Sequence, residues 1–325
     1  MRIIPPNSIV SASFSQNIAD MRARATIVSE ESVTGQYVDL TKHLGGRIGD
    51  AMISGKALSD IKDQRSLLGI REARLDFVQE SLGGVQDRIT GLEVRMLSAL
   101  GVGDLSGQDL VARDAKAALS DVFSALNARH GDRFLFAGDE TATQPFSNTD
   151  QLLTDIRQLA SIATDAADFE TQLDTYFQSP TGPWQTSIYQ GAATTSDPDG
   201  VTATDPALIE VISGLAVMAI SGMADSLPLL SQYPEIVRSS AERIGTGTTA
   251  VINLRADLGI IQERISKEQL SLDTEETILN SVYNGMVGRD QYDAASELKQ
   301  LEASLEAAYV LTSRLSNLSL LNFLR

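Results

Sequence analysis

Apolar residues recur at helical spacing over most of the chain, and the clearest series has one such residue every seven positions. This series consists of Ile61, Leu68, Leu75, Leu82, Ile89 and Met96. A second series at the complementary offset consists of Val78, Val85, Leu92 and Ala99. Occupation of both heptad positions predicts a long coiled-coil helix over residues 51–100, a stretch that contains no proline.

A second long helix is predicted over residues 235–284, which also lack proline. Its apolar seam is expected to contain Leu254, Leu258, Ile261 and Ile265. A helix of such length cannot enclose a core by itself, and long helices at both ends of a chain pair most simply side by side. The predicted fold is therefore mainly α, with long antiparallel coiled-coil helices that pair the N- and C-terminal segments, a small β-hairpin element and a short irregular insertion.

Both ends of the chain carry an apolar stripe with helical spacing. The N-terminal stripe consists of Ile18, Met21, Ala25 and Val28. The C-terminal stripe consists of Leu301, Leu305, Ala308, Leu311, Leu315, Leu318, Leu321 and Phe323. Because chain ends are usually polar and frayed, these stripes favour contacts between copies of the chain, with packing inside one subunit as the alternative.

The middle of the chain is less regular. Helices are predicted over residues 109–128 and 150–177, and a short strand over residues 133–138 lies between them. Residues 179–206 are rich in Thr, Gly, Pro, Asp and Ser, so we expect a surface insertion in which a β-hairpin would fit.

Five segments follow from this pattern. They are an inner terminal-helix domain made of residues 1–44 and 289–325, a helical core domain made of residues 45–178 and 207–288 with its β element near 133–146, and the insertion 179–206.

Composition narrows the range of functions. The 325 residues carry a formal net charge of −17, and this acidity disfavours nucleic-acid binding. The chain has no cysteine and two histidines, which excludes thiolate sites and leaves little for a metal centre. It contains no G-x-S-x-G, H-E-x-x-H or G-x-x-x-x-G-K-[ST] motif, so we expect neither an enzyme nor a cofactor. Asp197, Asp199 and Asp205 lack the closing Glu of a calcium loop, and a solvated turn is the favoured interpretation.

No targeting or membrane-spanning segment is expected. The first 20 residues lack the continuous apolar block of a cleaved signal peptide. The longest relevant apolar run, residues 211–224, has 14 residues and is shorter than the roughly 18 that a bilayer span needs. If the chain leaves the cell, we expect a route that requires no cleavable leader.

Three parts of the sequence resemble the flagellin family, and within it the hook–filament junction proteins. They are the start (Met1-Arg2-Ile3, then Asn17 to Met21), a central signature (Arg133, Phe134, Leu135, Phe136 and Gly138, followed by Pro145 and Phe146), and the end (Leu298 to Leu305, Ala308-Tyr309, and Leu315 to Leu324). One departure lies at Arg47-Ile48-Gly49-Asp50, where much of the family has a basic-Ile-acidic pair motif and this chain has a single acidic residue.

The resemblance implies a structural subunit that joins hook to filament by self-assembly and supports motility. It implies export through the flagellar secretion apparatus with an uncleaved signal, and terminal helices that become ordered on association. The implied partners are other copies of the chain, the hook-side junction protein, flagellin and an export chaperone, without nucleic acid or membrane insertion. Filament flagellin itself is the alternative within the family, and a helical adhesin or chaperone-like binding module is the alternative outside it.

Overall fold

A computed structural model describes the backbone of residues 6–222 and 227–323, and the side chains of residues 12–222 and 227–314. The helices are α1 Pro6–Thr34, α2 Leu40–Leu44, α3 Ile48–Ile89, α4 Leu92–Val102, α5 Leu105–Leu126, α6 Asp150–Ile162, α7 Ala166–Gln178, α8 Pro206–Ser221, α9 Pro228–Gln232, α10 Pro234–Val287 and α11 Gln291–Phe323. A 3₁₀ turn covers Gly45–Arg47, and a π-helical turn covers Trp184–Ile188. The predicted mainly-α fold with a small β element is confirmed.

The described residues form two compact units. The first comprises the residues up to Arg65 together with those from Leu270 onward, and the second comprises Ser66–Gln269. Helices α3 and α10 contribute residues to both. The boundaries predicted at 44/45 and 288/289 remain predictions.

Helices α3 and α10 lie antiparallel within the second unit. The amide of Gln269 donates to Glu72 at 3.0 Å and that of Gln262 to Asp76 at 2.6 Å. Gln79 donates to the carbonyl of Arg255 at 2.7 Å. In these three pairs the residue number rises along α3 as it falls along α10, which is the antiparallel arrangement.

Residues seven positions apart are buried along both long helices. All six residues of the first predicted series, Ile61 to Met96, are buried. On α10 the buried series consists of Val237, Ile244, Val251, Leu258, Ile265 and Leu272. Leu254 and Ile261, which we expected in the same seam, are only half-buried.

Two predicted helices are interrupted. The helix expected over residues 51–100 breaks after Ile89, because Gly91 takes the left-handed conformation (φ +81°) that begins α4. The helix expected over residues 150–177 ends at Ile162 and restarts after Asp165. The carboxylate of Asp165 accepts from the backbone N–H of Asp168 at 2.9 Å, which caps α7 and makes the restart favourable.

Helix α8 is the centre of the second unit. Every residue from Val211 to Ile220 is buried, and α5, α6 and α7 pack around it. The apolar run noted in the sequence is therefore a core helix up to Ser221, and its last two residues lie outside the described part of the chain. Among the described residues, none of the helices combines the length and apolarity that a bilayer span would require.

The segment 179–206 corrects the expectation of a surface insertion. Trp184, Ile188 and Tyr189 are buried, and Trp184 is fully inaccessible to solvent. Instead of a hairpin, the segment forms a π-helical turn and irregular backbone. The polar residues of the segment lie in the turns on either side of these buried side chains.

Two acidic residues of the same segment pair with arginines on α3. Asp199 lies 2.5 Å from Arg71, and Asp197 lies 2.5 Å from Arg74. The hydrogen bond from Arg71 to Asp199 raises the pKa of the guanidinium, although burial opposes this. These carboxylates therefore hold the loop to α3 and do not form the solvated turn that we expected. In the part of the chain that the structure describes, no three acidic or histidine side chains converge to hold a metal ion.

The β element is an antiparallel pair of two-residue strands. β1, Arg129–His130, pairs with β2, Arg133–Phe134, with Arg129 opposite Phe134. The strand predicted over residues 133–138 therefore ends at Phe134. Gly131 in the turn and Gly138 beyond β2 both have positive φ, at +60° and +61°.

These two glycines provide a matched test. A Cβ at Gly131 would meet nothing within 4 Å, whereas one at Gly138 would lie 2.2 Å from the carbonyl oxygen of Ala192. We expect Gly131→Ala to lower the unfolding free energy of the second unit by about 1–2 kcal/mol, the strain of the left-handed backbone. Gly138→Ala should cost about 3–4 kcal/mol because overpacking is added to the strain. Urea unfolding followed by Trp184 fluorescence measures both, and equal losses would contradict the steric argument.

Candidate subunit-assembly surface

Helices α1 and α11, here called the terminal helix pair, pack side by side in antiparallel orientation. Arg24 of α1 lies 2.6 Å from Glu297 near the start of α11, and Arg22 donates to the hydroxyl of Tyr309 farther along α11. At the other end of α1, the amide of Gln291 donates to the carbonyl of Val33 at 3.2 Å. Residues 258 to 287 positions apart in the sequence are thus brought together.

The structure places the two predicted stripes against each other. On α1, Val28 is buried, while Ile18, Met21 and Ala25 are half-buried. On α11, Ala308 is buried, Leu301 and Leu305 are half-buried, and Leu311 is 50% exposed. The backbone of Leu315, Leu318, Leu321 and Phe323 belongs to α11, but their side chains lie outside the described residues.

Part of the apolar surface of the terminal helix pair stays in contact with solvent. Val33 is 78% exposed and Tyr292 is 79% exposed. Ile27, Tyr309 and Val310 are also exposed. The apolar spacing does not predict the exposed residues Ile27, Val33, Tyr292 and Val310, because they lie beside the regular stripes and not within them. A pair of helices has only one shared face, so positions on the flanks cannot be covered without a third element.

Two open grooves run between these helices. One, of about 550 Å³, is lined by Ala25, Ser29, Val33 and Leu298 among others. The second, of about 440 Å³, includes Phe14, Ile18, Met21 and Leu301 in its lining. The half-buried stripe residues Ile18, Met21, Ala25 and Leu301 therefore line open grooves.

An ionic cluster, buried at Glu31 and exposed at Arg24, ties the C-terminal end of α1 to the start of α11. It consists of Arg24 and Glu31 of α1 with Arg289 and Glu297, and we call it the joint. Glu31 is 3% exposed, and its carboxylate forms an ion pair with Arg289. Arg289 also pairs with Glu297, which accepts from Arg24 as well. Burial would raise the pKa of the Glu297 carboxyl, but the hydrogen bonds from Arg24 and Arg289 outweigh it and lower that pKa.

Backbone hydrogen bonds reinforce the joint. The N–H of Tyr37 donates to the carbonyl of Val287 at 3.0 Å, and that of Arg289 donates to Gly35 at 2.8 Å. The N–H of Val38 donates to the second carboxylate oxygen of Glu31 at 3.0 Å. The segment that follows α1 therefore runs antiparallel to the segment between α10 and α11. The ion pair of Glu31 with Arg289 joins the last turn of α1 to the second of these segments.

The central signature residues have a different location. Phe136, Pro145 and Phe146 are buried within the second unit, Leu135 and Phe134 are half-buried, and Arg133 is exposed. The rings of Phe146 and Phe123 stack with centroids 4.2 Å apart, and Trp184 lies 5.4 Å from Phe146. Asn127 fixes Phe146 by accepting from its N–H at 2.9 Å and donating to its carbonyl at 2.8 Å. These residues build a core, and the terminal stripes are the candidates for contact between subunits.

Comparison with known proteins identifies a family match that covers most of α10 and α11. Residues 241–324 match the family model described as the bacterial flagellin C-terminal helical region. No curated protein matches the chain in sequence.

Two solved structures are similar to the chain. The FlgL structure from Bacillus cereus is 15% identical and covers 72% of this chain and 98% of its own, with a TM-score of 0.47. A structure described as a flagellar hook-associated protein from Vibrio parahaemolyticus is 11% identical and covers 81% and 96%, with a TM-score of 0.25. Because both structures have TM-scores below 0.5, they carry no argument about function. The family match over residues 241–324 is the finding that bears on function.

Proposed function

We propose that this protein is a structural subunit of the bacterial flagellum, because residues 241–324 match the bacterial flagellin C-terminal helical region, as the resemblance of the chain's end predicts. Its place is the junction of hook and filament, where copies assemble through their terminal helices and support motility. No catalytic step and no cofactor belong to this role.

The structural observation that supports assembly through the terminal helix pair is its incomplete burial. Val33 and Tyr292 are almost fully exposed, and Leu311 is half exposed. Two helices without a further layer bury too little apolar surface to be stable alone in water. Neighbouring copies supply that layer, and each Å² of apolar surface they cover contributes about 25 cal/mol toward ordering the helices.

The partners follow from this placement. Each copy contacts other copies, and the assembled layer contacts the hook-side junction protein on one side and flagellin on the other. The chain is exported through the flagellar secretion apparatus without a cleaved signal peptide, is held by an export chaperone beforehand, and acts outside the cell. Residues 1–44 and 289–325 are the inner terminal-helix domain, and residues 45–178 and 207–288 form the helical core domain.

The filament flagellin itself is the second candidate, because the matching family region is named for flagellin. The two roles differ in copy number. A junction subunit forms a thin zone, whereas a flagellin forms the whole filament. Immunogold labelling of intact flagella against this chain distinguishes them, with a single short zone expected.

Assembly itself is tested by removing apolar surface from the terminal helix pair. We expect the double variant Val310→Ser, Leu311→Ser and the deletion of residues 315–325 to abolish co-assembly into flagella and swimming in soft agar. Both should leave the second unit folded, as judged by Trp184 fluorescence.

A control removes two apolar side chains that are even more exposed and lie outside the terminal helix pair. Val102 and Leu105 lie at the turn between α4 and α5 and are largely exposed. The double variant Val102→Ser, Leu105→Ser should assemble as the unaltered chain does. Normal swimming in the strain that carries the deletion would overturn the proposed role of the terminal helices.

A further inference from the structure

We infer that residues 190–205, here called the strap, open and close as one local element of the second unit, and that the ion pair of Arg71 with Asp199 is the latch that keeps the strap closed. The strap connects Tyr189 with Asp205, the residues that hold its two ends. This inference concerns the second unit and does not depend on the proposed function.

Both ends of the strap are anchored in the core. Tyr189 is 2% exposed, and its hydroxyl donates to the carbonyl of Phe136 at 2.9 Å. Asp205 precedes α8, and its carboxylate caps that helix by accepting from the N–H of Ala207 at 2.9 Å. The segment between these anchors can therefore open while α8 stays in place.

The strap itself buries little apolar surface. Val201 and Ala203 are its buried apolar residues, and both are small. Residues 190–205, all of which the structure describes, contain neither helix nor strand. Segments with few buried contacts open locally at low free energy, so the polar contacts decide whether the strap is closed.

On one side the strap is hydrogen-bonded to residues 136–139. The N–H of Ala192 donates to the carbonyl of Ala137 at 2.9 Å, and the carboxylate of Asp139 accepts from the N–H of Ser196 at 2.6 Å. Each of these bonds replaces a bond to water in the open strap, so its net contribution to closure is small.

On the other side the strap contacts α3, and the latch lies there. The Nε and Nη2 atoms of Arg71 both donate to Oδ2 of Asp199, at 3.1 and 2.5 Å. The side chain of Asp199 is 2% exposed, and Arg71 is the cation within 4 Å of it among the described residues. Arg74 pairs with Asp197 at 2.5 Å, but these two side chains are 27% and 24% exposed. Asp199 is therefore the buried charge of the strap.

A buried carboxylate is stable only when it has a cation partner or water. In the closed strap Arg71 provides the cation. Without Arg71, the closed strap would hold an uncompensated buried charge, which is strongly unfavourable. Water reaches the carboxylate of Asp199 when the strap opens, so loss of the pair shifts the strap toward its open state.

The latch also determines what the strap connects. A closed strap is bonded to residues 136–139 and to α3 at the same time, so it ties the long helix to the signature residue Phe136 and its neighbours. Opening breaks this tie without removing any helix from the second unit. Arg71 and Asp199 are thus positioning residues for α3.

Thiol labelling of the purified full-length chain tests the inference. Because the chain has no cysteine, one introduced thiol reports one site. Val201→Cys places a thiol in the strap, and Val122→Cys places one on α5, where Val122 is fully buried. Arg71→Met should accelerate alkylation by N-ethylmaleimide at position 201 on the order of 30-fold, measured by mass spectrometry, and leave position 122 unchanged.

A second substitution separates the latch from a general loss of packing. Adding Asp199→Asn to Arg71→Met removes the buried charge itself, so alkylation at position 201 should slow again. Arg71→Lys keeps the charge but cannot make both hydrogen bonds, and it should give an intermediate rate. The control is Arg95→Met, because Arg95 and Asp114 form a pair that is 49% and 42% exposed, and its loss should not change either rate.

Three results would overturn the latch. They are an unchanged rate at position 201 in Arg71→Met, equal acceleration at positions 201 and 122, and a double variant that reacts as fast as Arg71→Met alone. If Val201→Cys does not fold, Ala203→Cys reports the same opening, since Ala203 is also buried in the strap. Acceleration confined to the strap and reversed by Asp199→Asn supports the latch.

Discussion

Replacing Trp184 by alanine should lower the unfolding free energy of the second unit by about 3–5 kcal/mol, the usual range for deleting a fully buried aromatic side chain. Trp184 is completely inaccessible and lies within 6.5 Å, centroid to centroid, of Phe123, Phe146 and Phe177. Its removal leaves a cavity among three other rings, and rigid neighbours on α5 and α7 limit how far that cavity can collapse.

Far-UV circular dichroism in urea measures this loss, because the variant lacks the only tryptophan. Leu105→Ala is the control, since Leu105 is largely exposed and should change stability by less than about 0.5 kcal/mol. A loss below about 1 kcal/mol for Trp184→Ala would mean that the segment 179–206 does not belong to the core.

Arg243→Met should destabilise the same unit by about 3 kcal/mol at neutral pH. The guanidinium of Arg243 lies 2.7 Å from Glu170, 2.8 Å from Asp174 and 3.6 Å from Glu210, and its side chain is largely buried. Burial alone would lower the pKa of Arg243, but hydrogen bonds to Glu170 and Asp174 outweigh it and raise that pKa. Methionine fills similar space and leaves three carboxylates facing one another without a cation.

The destabilisation should shrink at acid pH. In the variant the repelling carboxylates bind protons more readily when folded than when unfolded, so folding is favoured as pH falls. Trp184 fluorescence in urea at pH 7 and pH 4 measures the change. Arg113→Met is the control, because Arg113 is exposed and pairs with Asp109 within one helix. A penalty for Arg243→Met that is equal at both pH values would exclude carboxylate repulsion as its cause.

Periodicity predicted the long helices well because heptad spacing persists where side chains are buried on one side. The series from Ile61 to Met96 is buried throughout. The seam of α10 was harder to locate because Gly245, Gly247 and the threonines beside them obscure the link between Ile244 and Val251. Leu254 and Ile261 fit an apolar stripe equally well by spacing, and only the position of the partner helix distinguishes them.

Composition was misleading in the segment 179–206. Its Thr, Gly, Pro, Asp and Ser residues indicate exposed turns, yet Trp184, Ile188 and Tyr189 enter the core. Asp197 and Asp199 form ion pairs with arginines on α3. These partners are more than 100 positions away in the sequence, so local spacing could not predict the pairs. The break before α7 was easier to predict from the sequence. Asp is a common N-capping residue, and the side chain of Asp165 accepts from the backbone N–H three residues later, at Asp168.

For the assembly surface, the stripes were visible in the sequence but the joint was not. Glu31 and Arg289 look like ordinary surface charges until α1 and α11 are placed together. The flagellin resemblance of the C-terminal end is confirmed by the family match over residues 241–324. The exposed flank residues Val33 and Tyr292 have no periodic signal, because they become significant only once the shared face of the two helices is known.

The pairing of α1 with α11 also sets a limit on the order of folding. Residues 66–269 hold all the contacts of the second unit, so that unit can fold while the last 56 residues are still emerging from the ribosome or from any narrow conduit. The first unit needs α1 together with α11 and can close only after α11 has emerged far enough to contact α1. Until then the apolar side of α1 remains uncovered. The chain is most prone to aggregation during this interval, because apolar surface is exposed to solvent.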